Sequence, residues 1–316
     1  MGRPLEKAGQ TSDTANLSGQ FPTAGGYSTS SRPSHDYHQS LLILQPLSNH
    51  TTFTKPLNLA AWNVHTPQDT SNSESPERHT ALVCKELARF NIHAAALSKT
   101  RLADDGNIRD VKSNYTTFWK GKGTDDLRIH GAGFAIGSQL VDQHSLVPTI
   151  INERIMTVRI PLIQKSFLTL ISVYAPTLTS EDEDKTAFYN QLTCTILNVP
   201  GSDKLVVLGD FNARVGRDHR LWKGIIGHHG IGKCNANGQL LLGLCAEHTL
   251  IVTNTLFQLP NRQKTTWKHL RSKQWHILDY VLTRARDRRD VRITRSMLGA
   301  DDFWTDHRLL ISRVNI

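Results

Sequence analysis

Cysteine is scarce in this sequence, and the cysteines that are present form no familiar pattern. The chain of 316 residues contains four cysteines, and no two of them stand in C-x-x-C spacing. Secreted disulfide scaffolds are far richer in cysteine, while zinc sites and redox motifs use paired spacings. We therefore expect free thiols and an intracellular, reducing compartment.

Long apolar runs and nucleotide-binding loops are also missing. No run approaches the roughly 18 consecutive apolar residues of a membrane-spanning helix, and the N-terminus lacks the apolar core of a signal peptide. The sequence has no internal repeat, no G-x-x-x-x-G-K-[ST] loop and no strand followed by G-x-G-x-x-G. We therefore expect no contact with a membrane, and the P-loop and dinucleotide-binding classes are excluded.

Basic residues, by contrast, are abundant. Lysine and arginine number 37 against 28 aspartates and glutamates, which gives a formal net charge of +9 and a pI near 9.5. Clustered cations gain affinity by displacing counterions from phosphates, so this balance favours a polyanionic partner. A solvated basic surface without a partner is the alternative.

Composition divides the chain into two parts. Residues 1–55 are rich in Ser, Thr, Gly, Pro and Gln, which predicts a disordered N-terminal tail. From Leu57 onward short apolar runs alternate with polar helical stretches, and a hydrophobic content of 38% is enough for a full core. We therefore expect one folded domain over residues 56–316.

The alternation predicts the fold class. Apolar runs predict strands at 57–64, 93–98, 131–137, 155–160, 167–175, 250–255, 265–269, 275–282 and 308–314, and one that begins at Leu205. Amphipathic stretches predict helices at 77–91, 180–197 and 237–248. Some strands are joined by short turns and others are separated by helices. This mixture predicts an α/β fold with two mixed sheets packed face to face and helices outside, rather than one doubly wound parallel sheet.

Polar residues stand at the ends of several apolar runs. In "LVVLGDFNARVG" a run suited to a buried strand closes at Asp210, and Asn212 follows two residues later. Asn63 and Tyr174 close two other runs, Asp279 interrupts "HILDYVL", and Asp306 and His307 precede the last strand. Each residue alone more often belongs to a turn or a core contact. Together they combine the groups that phosphodiester cleavage needs to activate water, bind phosphoryl oxygens and hold a hard cation.

Six motifs follow the order of a known superfamily. They are "WNV", "ALSKTR", "ISVYAP", "LGDFNARVG", "ILDYV" and "TDHR". From Leu57 to Ile316 the chain resembles the endonuclease/exonuclease/phosphatase superfamily, and within it the apurinic-like endonuclease domain of RTE-type non-LTR retrotransposons. The resemblance implies a four-layer α/β sandwich with two mixed β-sheets flanked by helices. It also implies a phosphodiesterase that uses Mg²⁺ or Mn²⁺ and nicks DNA.

The resemblance also implies a role for each motif residue. Asp210 would activate or position the attacking water. Asn212 and Asn63 would place the phosphate and the carboxylates by hydrogen bonds, and Tyr174 would donate to a phosphoryl oxygen.

The resemblance assigns the remaining motif residues to binding of the phosphate and the metal ion. His307 would contact the scissile phosphate, while Asp279 fixes its tautomer and favours its charged form. Asp306 would hold the metal directly or through water, and magnesium suits such a site because it accepts a few carboxylates and keeps several waters.

One motif departs from the superfamily. Where its members have a metal-binding glutamate, as in "SETR", this chain reads "SKTR" with Lys99. Two unit charges about 4 Å apart interact by roughly 4 kcal/mol at an effective dielectric of about 20, so a lysine facing a divalent cation costs about twice that. We therefore expect turnover to be lost or severely impaired in this copy.

Other outcomes are open at this position. The lysine can turn away while Asp104 or Asp105 supplies an oxygen, or its ammonium can replace the cation and bind phosphate. A catalytically inactive nucleic-acid-binding remnant is thus the alternative to an endonuclease. A phosphoinositide or nucleotide phosphatase of the same superfamily is a third candidate.

Two further segments carry predictions about ligands. Residues 261–276, "NRQKTTWKHLRSKQWH", predict contact with a DNA backbone through Arg262, Lys264, Lys268, Arg271 and Lys273. In this segment we assign Trp267 and Trp275 to the core. The segment 227–238 contains His228, His229 and Cys234 in a spacing that fits no zinc pattern, so we predict a Gly-rich loop near the site.

A run of charged residues follows near the C-terminus. Residues 284–292, "RARDRRDVR", predict a solvated loop, with phosphate contact as the alternative.

The last expectations concern assembly, compartment and origin. We expect a monomer without an obligate protein partner, and the expected DNA substrate favours the nucleus over the cytoplasm. Since no reverse-transcriptase segment follows Ile316, we expect a fragment or a domesticated copy of a retroelement.

Overall fold

The computed structural model describes residues 56–64, 76–100, 102–121, 123, 131–299 and 305–316. The predicted N-terminal tail, residues 1–55, lies outside them. The described helices and strands are β1 (Leu57–Asn63), α1 (Pro76–Arg89), β2 (Ala94–Ser98), β3 (Asp105–Asp110), β4 (Tyr115–Lys120), β5 (Ala132–Gly137), α2 (Ser138–His144), β6 (Thr149–Asn152), β7 (Ile155–Pro161), β8 (Phe167–Tyr174), α3 (Asp182–Leu197), β9 (Lys204–Asp210), α4 (Ala236–Glu247), β10 (Leu250–Val252), β11 (Trp267–Lys268), β12 (Trp275–His276), β13 (Asp279–Arg284), β14 (Val291–Ser296) and β15 (Leu310–Val314). Short 3-10 helices lie at Ile163–Lys165, Thr253–Thr255, Asn261–Gln263 and Ala285–Asp290.

Two mixed sheets form the centre of the fold. The first has the order β14-β15-β1-β2-β5-β4-β3, and the second has the order β10-β13-β9-β8-β7-β6. In the first sheet β1 and β2 are parallel, and in the second β8 and β9 are parallel, while the other neighbouring strands are antiparallel. Strands β11 and β12 form a separate hairpin.

Successive side chains of the central strands point into different hydrophobic cores, which produces the layered packing of the fold. In β9, Val206 and Leu208 face the core between the two sheets, while Leu205 and Val207 face the core beneath α3 and α4. Strands buried on both faces read as continuous apolar runs because successive side chains point in opposite directions. Helix α1 covers the outer face of the first sheet through residues that include Leu87. The predicted four-layer α/β sandwich is confirmed.

Some elements carry weak sequence signals and were not predicted. Strand β3, "DGNIRD", alternates exposed and half-buried side chains at the sheet edge, so it has no apolar run. The segment 284–292, which was predicted as a solvated loop, forms the 3-10 helix Ala285–Asp290 with exposed Arg286, Arg288 and Arg289. The side chain of Arg284 donates to the carbonyls of residues 199, 200, 201 and 203, and β14 begins at Val291 beneath the charge run. None of the helices in the described ranges is both long and apolar enough to cross a membrane.

Candidate active site

Strand register gathers the polar strand ends at one edge of the sandwich. Asp210, the last residue of β9, lies beside Tyr174, the last residue of β8, and opposite Asp279, the first residue of β13. In the first sheet Asn63 closes β1 beside Ser98, which closes β2. Because β13 runs antiparallel to β9, its beginning lies where β9 ends. These residues share the strand face that packs between the sheets, so their side chains line the end of that layer.

Asn63 connects the two sheets at this edge. Its side chain is fully buried, and Nδ2 donates to Asp210 Oδ2 at 2.8 Å and lies 3.4 Å from His307 Nε2. The other oxygen of Asp210 accepts the backbone N–H of Asn212 at 2.9 Å. Asn212 has a left-handed backbone, with φ of 47°, and its amide donates to the carbonyl of Ala175. The carboxylate of Asp210 is therefore held from both sides.

His307 and Asp279 form a buried pair. His307 Nδ1 lies 2.8 Å from Asp279 Oδ2, which leaves Nε2 to face the site. Burial alone would lower the pKa of His307, but Asp279, Asp210 and Asp306 together raise it above its ordinary value. Burial also raises the pKa of Asp279 to about 6, against the opposing effect of His307. The backbone N–H of Asp279 donates to Thr266 Oγ1 at 3.1 Å.

Asp306 is held by a tryptophan that the sequence did not identify. Trp267 Nε1 donates to Asp306 Oδ2 at 2.7 Å, and Asp306 Oδ1 lies 4.0 Å from His307 Nε2. Trp267 is half-buried, as is Trp275, whose ring lies 3.4 Å from the guanidinium of Arg308. The assignment of both tryptophans to the core is therefore wrong. The contact between Trp267 and Asp306 joins positions 39 residues apart and has no local sequence signal.

Lys99 places a positive charge beside the site. It follows β2 with a left-handed backbone, with φ of 54°, and its Nζ lies 6.0 Å from the centroid of the Tyr174 ring. Arg154 lies on the same ring at 5.5 Å and donates to the Tyr174 carbonyl. Asp105, which was considered as a substitute metal ligand, accepts a hydrogen bond from Lys120 at 3.0 Å, and Asp104 is exposed.

The donor set has the chemistry that a hard cation requires. One ligand atom each from Asp210, Asp279 and His307 lies within 4.8 Å of the others. Asn63 Oδ1 and Asp279 Oδ1 are buried oxygens with no hydrogen-bond partner among the described residues. Carboxylate and amide oxygens are the ligands that Mg²⁺ prefers. With Asp306 nearby, these residues fit such a cation, although Lys99 removes one carboxylate from the expected set.

The predicted DNA-contacting segment borders the site. Backbone pairing joins Trp267 to His307, so the β11–β12 hairpin lies next to the imidazole. Four of the five predicted cations are exposed: Arg262, Lys268, Arg271 and Lys273. Lys264 is buried, and its ammonium donates to the carbonyl of His229 at 2.9 Å.

The Gly-rich segment 227–238 is a loop that leads into α4, which begins at Ala236. His228, His229 and Cys234 belong to no metal-ligating group in the described part of the chain. Instead, the ring of His228 lies 4.1 Å from that of His219. The end of the segment does approach the site, because Asn237 Nδ2 donates to the carbonyl of Asn212 at 3.0 Å.

Comparisons with known proteins bear on the family and the fold. A family model described as "Endonuclease-reverse transcriptase" matches residues 168–311, which include Asp210, Asp279 and His307. Craniofacial development protein 2 of Bos taurus is 31% identical over 237 residues, which are 74% of this chain. The endonuclease domain of TRAS1, described as a telomere-specific non-LTR retrotransposon, superposes with a TM-score of 0.54 at 15% identity, over 82% of this chain and 98% of that domain. By these comparisons the chain resembles members of the endonuclease/exonuclease/phosphatase superfamily in sequence and shares their fold.

A second solved member of the superfamily has the same fold. The AP endonuclease LMAP from Leishmania major superposes with a TM-score of 0.58 at 11% identity, over 83% of this chain and 88% of that chain. The chain spans 38% of the length of the bovine craniofacial development protein 2 and 39% of that of Tragulus javanicus. The resemblance predicted from six motifs is confirmed.

Proposed function

We propose that the chain is a phosphodiesterase whose substrate is DNA. The proposal rests on one observation: the buried hydrogen-bonded pairs Asn63–Asp210 and Asp279–His307 lie against each other at the end of the inter-sheet layer. Structural neighbours described as an AP endonuclease and as a retrotransposon endonuclease domain support the choice of substrate. A DNA substrate also favours the nucleus as the compartment.

Asp210 would orient and activate the attacking water. A carboxylate is a useful base when its orientation is fixed before the substrate arrives. The amide of Asn63 and the backbone N–H of Asn212 provide that orientation, since each donates to a different oxygen of Asp210. Asn63 would also keep Asp210 and His307 at a fixed separation on either side of the phosphate.

His307 would bind a phosphoryl oxygen through Nε2–H. The carboxylate of Asp279 would accept a hydrogen bond from Nδ1–H, so the imidazole keeps one orientation, and the nearby carboxylates favour its charged form. Tyr174, which adjoins Asp210 in the sheet, would donate to a second phosphoryl oxygen. Lys99 and Arg154 add positive charge around that ring.

Asp306 would hold a divalent cation, with Mg²⁺ or Mn²⁺ as the expected ions. When bound, the cation would neutralise charge on the phosphoryl oxygens. Trp267 fixes one oxygen of Asp306, which leaves the other available to a ligand. The ammonium of Lys99 opposes the cation by direct repulsion.

The exposed hairpin beside the site would contact the DNA backbone. Arg262, Lys268, Arg271 and Lys273 are exposed around it, and cations at such positions bind phosphates without reading sequence. Lys264 is not expected to contribute, because its ammonium is bound to a backbone carbonyl.

Lys99 supports a second candidate function, a nucleic-acid-binding remnant without turnover. The two candidates are separated by nicking of supercoiled plasmid in the presence of magnesium. The unmodified chain would be compared with Lys99→Glu, and Lys99→Gln would serve as a control for loss of the charge alone.

The outcomes distinguish the candidates. Nicking by the unmodified chain supports the enzyme, and nicking by Lys99→Glu alone supports the remnant. An additional His307→Gln substitution should abolish nicking in either background. If neither Lys99→Glu nor the unmodified chain nicks DNA, although both bind it and are folded, the assignment of the site is wrong.

A further inference from the structure

A second basic cavity lies outside the candidate active site. It has a volume of about 320 Å³ and lies along the edge strand β10. No residue of the candidate site lines it. The lining contains five basic or imidazole side chains and no carboxylate: His219, Arg220, Lys223, His228 and Arg288.

The positive charges of this cavity have no ion-pair partner in the described part of the chain. Arg220, Lys223 and Arg288 are exposed and form no ion pair with any described residue. The adjacent carboxylates have other partners, since Asp218 accepts the backbone N–H of Leu221 and Asp287 pairs with Arg286. A group of unpaired cations around a concave surface attracts an anion, and arginine favours phosphate because its guanidinium can donate two parallel hydrogen bonds.

The wall that carries His228 is held in place by the backbone. Ile226 pairs with Val252 of β10, and the N–H of Gly227 donates to Thr255 Oγ1 at 2.7 Å. The N–H of His229 donates to the carbonyl of Thr255 at 3.0 Å. A side chain at position 227 would lie 2.4 Å from that carbonyl, so only glycine permits this approach. The cavity is therefore formed before a ligand arrives, which lowers the cost of binding.

The floor of the cavity is apolar. Ile226 and Ile251 are buried there, and Leu256 is half-buried. Small-molecule sites combine such a floor with a few placed polar groups, and their volumes begin near 300 Å³. A volume of about 320 Å³ admits one nucleotide but not a duplex. The ligand that matches the cavity has a flat, weakly polar ring system and a phosphate.

We propose that this cavity is a second binding site, which takes one nucleotide with its base on the apolar floor and its phosphate at Arg220, Lys223 and Arg288. The nucleotide can be free or the terminal residue of a single strand, since both offer the same base and phosphate. This proposal does not depend on catalysis at the Asp210 site.

The test is an NMR titration of the full chain with dAMP, in which the ring protons of His219 and His228 report on the cavity itself. We expect these protons to shift with dAMP and not with adenosine. Lys223→Glu combined with Arg288→Glu should weaken the binding at least about tenfold because it reverses two phosphate contacts. Arg289→Glu is the matched control, since Arg289 is exposed next to Arg288 but does not line the cavity.

Two further titrations identify the form of the nucleotide and the results that would contradict the proposal. Tighter binding of a short single-stranded oligonucleotide than of dAMP identifies a strand end as the ligand, whereas equal binding identifies the free nucleotide. Inorganic phosphate that binds as tightly as dAMP would overturn the role of the apolar floor, and absent ring-proton shifts with dAMP would overturn the whole proposal. Either failure leaves the plasmid-nicking result unaffected.

Discussion

Asn63 donates to Asp210 at 2.8 Å and thereby joins one sheet of the sandwich to the other at the site. We expect Asn63→Ala to lower the free energy of unfolding by about 1–3 kcal/mol, because it leaves the buried carboxylate of Asp210 with one donor fewer. Chemical denaturation measures this loss. Asn58→Ala removes a partly exposed amide of the same strand and is the control. Equal losses in the two variants would contradict the linking role of Asn63.

The pair of His307 and Asp279 should make stability depend on pH. The pKa of His307 is raised in the folded protein. The stability that this residue contributes is therefore fully present below its pKa in the unfolded chain, about 6.5, and is lost as the pH rises through its pKa in the folded protein. The pKa of Asp279 is raised to about 6, so its effect on stability has the same direction. The stability it contributes is fully present below its pKa in the unfolded chain, about 3.9, and is lost as the pH rises through about 6.

Urea denaturation between about pH 4 and pH 8 tests this expectation. The unmodified chain should lose stability toward high pH relative to the double variant His307→Gln/Asp279→Asn, in which neither group titrates. Parallel pH profiles for the two chains would refute the coupling.

Lys99 should decide how strongly the site binds a divalent cation. We expect MgCl₂ or MnCl₂ to raise the Tm of Lys99→Glu clearly and that of the unmodified chain little, with Lys99→Gln between them. A ligand at about 100 times its Kd stabilises the folded state by about 2.7 kcal/mol, which differential scanning fluorimetry detects readily. Removal of the metal with EDTA should reverse the shift. A shift of the same size in all three chains would place the cation away from residue 99.

Trp267 should act on the same site through Asp306. Trp267→Phe keeps an aromatic ring but removes the donor to Oδ2, a hydrogen bond to a charged group that is worth about 1.5–3 kcal/mol. In the Lys99→Glu background we expect Mn²⁺ affinity, measured by electron paramagnetic resonance, to fall about tenfold or more as a result. Trp275→Phe, on the same hairpin, should leave the affinity unchanged. An equal effect of both substitutions would indicate a general loss of hairpin structure.

The sequence predicted most of the buried strands and the polar residues near their ends, although β4 and β14 were missed. Asp210 follows a run that is apolar on both faces, and such a run is visible without any knowledge of its neighbours. The convergence of Asp210 and Asn63 also followed from their positions at strand ends, whereas Asp279 was predicted inside a strand over 275–282 and instead begins β13. The edge strand β3 was missed because its side chains alternate between exposed and half-buried positions and include no continuous apolar segment.

Long-range contacts explain most of the remaining differences. The hydrogen bond from Trp267 to Asp306 and the burial of Lys264 both depend on where the hairpin packs, which no local pattern encodes. Arg284 looked like part of a solvated charge run but binds carbonyls about 80 residues earlier. Side-chain type predicted what these residues can do, and tertiary packing determined which partner they found.

The registration of β13 against β9 has a consequence for any chain with an inserted or deleted residue in either strand. Asp279 and Val281 point toward the first sheet, whereas Tyr280 and Leu282 point toward the helices. A slip of one position would exchange these directions, burying the carboxylate of Asp279 beneath α4 and turning an aromatic ring toward His307. Insertions or deletions in this antiparallel pair should therefore be tolerated far less than substitutions, because misalignment damages the interior and the chemistry in a single event.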